Sequence, residues 1–207
     1  GHLPAVVAAI EKKQLPTAAL NAIHRTTLLQ HPDTPLRNRA TAILKLARPV
    51  DKKTLQRFLS ALNEPRNIAN GAKVHREHCA ICHRAHGVGF AVGPDLAAEF
   101  RRAEETIVRD ILAPSEVIEV GHETWVIETT DGRALSGLLA TESAGSLTLS
   151  LPGGQRLDVL RKDIKSLKSL SVSLMPGTLA QVLKPRDVAD VIAWLRRPPS
   201  RRVLFDD

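Results

Sequence analysis

The feature that most constrains this chain is a pentad, Cys79-Ala80-Ile81-Cys82-His83. Residues three apart share one face of a helical turn, so both thiols reach outward together and the histidine follows at once. This is the attachment signature of a c-type haem. The thiols meet the two vinyl groups of one porphyrin edge, and the imidazole then lies under the iron as a neutral nitrogen ligand. The chain has two cysteines in all, and the motif uses both. Three other chemistries draw on the same residues. A dithiol redox pair wants a thioredoxin-like βαβ context, and none precedes Cys79. A zinc site would take His78, His83 or His86 to complete its ligands. A structural disulfide would suit an exported protein.

The flanks favour haem. Residues 70–78 read as a short helix running into the pentad. Residues 84–96 form a glycine-rich stretch that ends Gly93-Pro94-Asp95-Leu96. Glycines allow the backbone to approach a flat ligand closely, and the Pro94 carbonyl is placed to accept the Nδ1–H of His83 and fix its tautomer. For the sixth position the chain offers one methionine, Met175, before Pro176-Gly177. It is the only thioether present, which makes it the favoured axial partner. Bis-histidine ligation by His75, His78, His86 or His122 is the alternative. The first three of these stand close to the attachment turn, which hinders a crossing to the opposite face.

The order of short helix, CxxCH, glycine loop and GPDL resembles class I cytochromes c. Continued through the stretch Asp110-Ile111-Leu112-Ala113-Pro114-Ser115, a β-rich segment, Ser173-Leu174-Met175-Pro176-Gly177 and a closing Val191-Ile192-Ala193-Trp194-Leu195, the pattern is similar to the haem-binding domain of the Pirellula/Verrucomicrobium type. The resemblance covers roughly residues 67–197. It implies Cys79 and Cys82 as thioether anchors, His83 as proximal ligand and Met175 as distal ligand. It also implies a β-enlarged segment between the two ligands and a place beside a dehydrogenase-like or helical-repeat region in exported proteins. His75 departs from it, because similar domains usually carry an aromatic residue there. In class I cytochromes the last helix crosses the first at a glycine, and Gly71 against Trp194 is the corresponding pair.

Residues 1–66 read as helices over 3–13, 15–30, 36–46 and from 50 onward. Pro4 and Pro16 stand near helix starts, where a missing N–H costs nothing. Asp33-Thr34-Pro35 supplies a cap. Leu55, Phe58, Leu59 and Leu62 fall at the spacing of a buried stripe. Four short helices suggest two antiparallel pairs of HEAT-like type. The charge is lopsided. Residues 1–66 hold eleven Lys/Arg against four Asp/Glu, the whole formal excess of +7, while the remainder balances. Such a face would steer an acidic redox partner. Nucleic-acid binding lacks any supporting motif.

After a helix over 104–112 the period changes to two. Strands are expected over 122–130, 134–140, 146–151, 156–160 and 164–170, with Asp131-Gly132 as a hairpin turn. Pro185 opens a last helix with Val188, Val191, Ile192 and Leu195 on one face. Arg196, Arg197, Arg201 and Arg202 then form a basic tail; haem propionates are one target for it, and a solvated tail is the commoner outcome. No apolar run is long enough to span a membrane.

These readings combine into one expectation. The fold would be mainly α, a cytochrome c-like helical haem core (67–207) carrying a small antiparallel sheet or barrel inserted at about 116–170, behind a HEAT-like segment (1–66). The chain would be an electron carrier rather than an enzyme, with one covalent haem c held by Cys79, Cys82, His83, Met175 and Pro94. It would work in the periplasm or another exported location and exchange electrons with a partner protein such as a dehydrogenase. The alternative is a haem sensor or haem enzyme whose sixth ligand is labile or absent.

Overall fold

The computed structural model describes residues 2–12, 14–15, 24, 27–28, 31–44 and 50–197. Most of the helix expected over 15–30, together with Pro16, Pro49, Arg201 and Arg202, lies outside them.

Helix α1 (Leu3–Glu11) buries Val7 and Ile10. Helix α2 (Thr34–Leu44) starts where the Asp33 carboxylate accepts the Leu36 amide at 3.0 Å, which satisfies a donor that a first helical turn leaves unpaired. Val7, Ile10, Leu28, Leu36 and Ala40 close a small core between these helices, and Arg39 holds Glu11 through bonds of 2.9 and 2.6 Å.

A second, larger core is helical throughout. It gathers α3 (Lys52–Ala61), α4 (Ile68–Val74), α5 (Glu104–Leu112), α6 (Leu179–Val182) and α7 (Pro185–Leu195). Asp51 caps α3 by accepting the Thr54 amide at 2.9 Å, and Asn67 caps α4 by accepting the Asn70 amide at 3.0 Å. The buried stripe Leu55, Phe58 and Ala61 turns α3 toward α5 and α7. Helices α4 and α7 cross at Gly71. A Cβ there would stand 2.0 Å from Asp190 O and 2.8 Å from Trp194 Cβ, so no larger residue fits. The Asp190 carboxylate, buried at the same crossing, accepts the Asn67 amide at 2.7 Å and the Asn70 side-chain amide at 2.8 Å. A buried carboxylate is tolerated because it is bonded from both sides.

The third core belongs to a sheet of β1 (Glu123–Thr129), β2 (Ala134–Glu142), β3 (Ser146–Ser150), β4 (Arg156–Leu160) and β5 (Ile164–Ser173). All pairings are antiparallel in the order β4-β3-β2-β1-β5. Period-2 alternation sends Leu147 and Leu149 inward while Ser146, Thr148 and Ser150 stay partly exposed, as a half-buried strand requires. With Ile127 and Val159 they form the centre of the cluster.

These observations correct the expected fold class. The chain is mixed α/β, not a mainly α protein with a cytochrome c fold. The five strands bury a hydrophobic cluster of their own, separate from the helical one, so the sheet counts as a full layer, set in the chain between α5 and α6. It is open rather than a barrel, because β4 pairs only with β3 and β5 only with β1. Strand β5 also continues to Ser173, past the expected end at Leu170; the alternation of Leu170 and Val172 with Ser169, Ser171 and Ser173 carries the period-2 pattern to that point. The HEAT-like reading changes as well. Helix α3 packs its stripe, with Leu55 and Phe58, into the core with α5 and α7.

Candidate functional site

The attachment turn begins where α4 loosens into one π-helical turn, His75–Cys79, with the Ala80 amide bonded to His75 O at 2.8 Å. Single π turns inside helices mark functional positions more often than regular helix does. The amides of Cys82 and His83 then both donate to Cys79 O, at 3.0 and 2.8 Å. This tight turn brings the two cysteines and His83 together. The thiols are not joined to each other, and both are half-buried.

The glycine-rich segment folds back beneath the turn. Its amides at Phe90, Val92, Gly93 and Leu96 donate to the carbonyls of Ala80, Cys82, Cys82 and Arg84 at 2.8–3.0 Å. Gly89 has φ +98°, and a Cβ there would lie 2.2 Å from His83 O. Gly93 sits flush on the imidazole, where a Cβ would be 2.6 Å from His83 Cε1. From the next residue, the Pro94 carbonyl accepts His83 Nδ1–H at 2.9 Å. In a neutral imidazole that bond places the proton on Nδ1 and the lone pair on Nε2.

Two further histidines take structural positions. His86, in a left-handed conformation with φ +48°, donates from Nε2 to Trp194 O and Leu195 O, both at 3.1 Å. It therefore helps close the C-terminus of α7, where the Arg197 amide also donates to Trp194 O at 3.3 Å. His75 is fully buried and stacks on Trp194 with ring centroids 4.5 Å apart. Neither of its ring nitrogens has a hydrogen-bond partner. Burial pushes its pKa down to about 4, and the neighbouring His83 adds to the shift. His75 thus takes the packing place of the expected aromatic residue. His78 and His122 are half-buried, and His122 stands in the turn that leads into β1.

Met175 lies on a different loop, half-buried between β5 and α6. Its amide donates to Ser173 Oγ at 3.1 Å, and the Ser173 amide donates to Ser115 Oγ at 3.1 Å. The structure therefore brings Cys79, Cys82, His83 and Pro94 into one turn and holds Met175 on a separately anchored one.

Sequence reasoning missed how the sheet meets this turn. Pro152-Gly153-Gly154 reads in sequence only as a separator between strands. In the fold the Gly153 amide donates to Ile81 O at 2.7 Å. Gly154, with φ +74°, lies against the Phe90 ring, where a Cβ would be 2.7 Å from Cδ1. The β3–β4 turn thus rests on the peptide between the two cysteines. The doubled glycine was the available signal, since both residues hold a positive φ.

Local chemistry separates the competing readings. Burial, with the neighbouring Cys82 second, raises the Cys79 thiol to about 11, and burial raises Cys82 as well. A dithiol redox pair works through a thiolate, and burial here disfavours that form. Among the described residues no three of His, Cys, Asp and Glu converge as a metal site. A c haem would take Cys79 and Cys82 as thioether anchors and His83 as an iron ligand. The residues present fit such a group: a tautomer-locked imidazole in a cradle that a methyl would fill, beside two unjoined thiols.

No protein-family model and no curated protein matches this chain.

Proposed function

We propose that this chain binds one covalent c-type haem and carries electrons. The observation that supports it is the His83 cradle, in which Pro94 O holds Nδ1–H at 2.9 Å while Gly93 leaves no room for a Cβ. Bound there, the group would supply a redox-active iron. The chain's own contribution is to hold and orient. Cys79 and Cys82 would anchor one edge as thioethers. His83 would offer Nε2, made more basic by the bond from Nδ1 to Pro94. Met175 would close the opposite side, and a His/Met pair raises the reduction potential and leaves no open position for substrate. That favours outer-sphere transfer over catalysis. Covalent attachment of this kind goes with an exported location. The excess of basic residues in 1–66, with Lys52, Lys53 and Arg57 exposed on α3, suits an acidic redox partner.

The test is an absorption spectrum of protein matured in a host that attaches c haem, oxidised and reduced, beside Met175→Ala. A sharp low-spin α-band on reduction is expected, with a weak long-wavelength sulfur-to-iron band in the oxidised form that the substitution removes. A spectrum indifferent to Met175→Ala moves sensing or catalysis ahead of electron transfer. Absence of covalent haem overturns the reading altogether.

A further inference from the structure

We infer that Ser115 and Ser173 are positioning residues for the Met175 thioether, an inference that rests on the ligation proposed above. Two hydrogen bonds in series carry it. The Met175 amide donates to Ser173 Oγ at 3.1 Å, and the Ser173 amide donates to Ser115 Oγ at 3.1 Å. Neither serine is required by its element. Ser173 is the last residue of β5, and Glu123 is its cross-strand partner. Ser115 follows the buried Pro114 just beyond α5.

The Ser173–Ser115 bond joins bodies with separate cores, and the Met175–Ser173 bond carries it two residues along the loop. Helix α5 is embedded in the helical core through Ile107, Val108 and Leu112, whereas β5 belongs to the sheet. Between β5 and α6 the chain runs through residues 174–178 with Met175 second and Pro176 restricting the backbone after it. A loop held only at its strand end would let the methionine swing with the sheet. Ser115 instead references the loop to α5, and Ser173 passes that reference on to the Met175 amide. The sheet is held to the attachment turn at a distant point, through Gly153 and Ile81. With both contacts in place, the loop that carries Met175 and the turn that carries His83 are held against the same sheet.

A thioether is a weak iron ligand, so its grip depends on the loop arriving already ordered. An added ligand must displace it, and the ease of displacement reports the ordering. Losing one such bond corresponds to about five- to tenfold in an equilibrium constant.

The experiment titrates imidazole into the oxidised haem protein as wild type, Ser115→Ala, Ser173→Ala and Ser173→Thr, with Ser136→Ala on β2 as control. Amide hydrogen exchange at residue 175 is followed in parallel, a readout that does not pass through the iron. Both alanine variants are expected to bind imidazole about five- to tenfold more tightly at unchanged haem content. Residue 175 should exchange faster in both, and Ser173→Thr, which keeps Oγ, should behave as wild type. Wild-type affinity and exchange in the alanine variants overturn the inference while leaving haem binding intact. A wild type whose sulfur band is missing overturns the ligation reading instead, and the inference with it. If an alanine variant fails to mature, the exchange rate of the other decides.

Discussion

At Gly93 a single missing methyl group holds the candidate site in shape. A Cβ would stand 2.6 Å from His83 Cε1 and 3.0 Å from Nδ1, inside any tolerable contact, so the ring or the backbone would have to move. Either movement breaks the bond to Pro94 O. Gly93→Ala is therefore expected to cost about 1–3 kcal/mol of stability, as overpacking does, read as a lower urea midpoint. Gly87→Ala is the useful contrast. Gly87 holds φ +81° but a Cβ there meets nothing within 4 Å, so only backbone strain of about 1 kcal/mol applies. Equal midpoints for the two variants would show that the Gly93 contact carries no stability. His75 makes a different point at this scale. Its imidazole is sealed against Trp194 without a polar partner, and a buried group of that kind stays neutral because charging it would cost still more.

Among elements, the junction of the helical core is held by Glu104. Arg66 reaches it from beyond α3 with two bonds of 2.7 Å, and Arg196 reaches it from the end of α7 at 3.1 Å. The Arg66 hydrogen bonds lower the Glu104 pKa below its ordinary 4.5; burial opposes them, and the Arg66 and Arg196 charges add to the lowering. A carboxylate with a depressed folded pKa binds its proton more readily in the unfolded chain. Its stabilisation is complete above pH 4.5 and fades as the pH falls through the folded value. Glu104→Gln should cost about 1–3 kcal/mol at pH 7 and flatten the acid limb of a stability-versus-pH curve. An acid limb unchanged by the substitution would place the sensitivity elsewhere. At the α4–α7 crossing Gly71 acts through shape.

For the whole molecule the governing fact is that most buried hydrophobic residues among the described ones fall into three clusters. Between the helical core and the sheet, polar contacts such as Gly153 to Ile81 and Ser173 to Ser115 take part in the joining. Cooperativity across such joints is weaker than within a shared core. The two tryptophans report on the two larger clusters separately, Trp194 in the helical core and Trp125 against the sheet. In guanidinium, Trp194→Phe should leave a reporter of sheet unfolding and Trp125→Phe a reporter of helical unfolding. Their midpoints are expected to differ. Coincident transitions with one slope would mean that the polar joints suffice to make the body a single unit.

By itself the sequence determined what local chemistry decides: the cap at Asp33, the stripe of α3, the alternation of β3, the Asp131-Gly132 turn and the pentad with its glycine loop. Each depends on neighbours a few residues away, where backbone propensity and periodicity act. The pair at the helix crossing, Gly71 and Trp194, was named only through the resemblance to class I cytochromes, not through a local signal. What only the tertiary structure decided depends on residues far apart in the chain. The rank of the sheet as a full layer, which overturned the mainly α expectation, follows from strands sealing Leu147, Leu149 and Ile127 against each other. The allegiance of α3 follows from which apolar surface lay within reach. The burial of His75, the seat of the Gly153-Gly154 turn on Ile81 and the Ser115–Ser173–Met175 chain have no periodic signal. They are single contacts between elements, and no propensity encodes them.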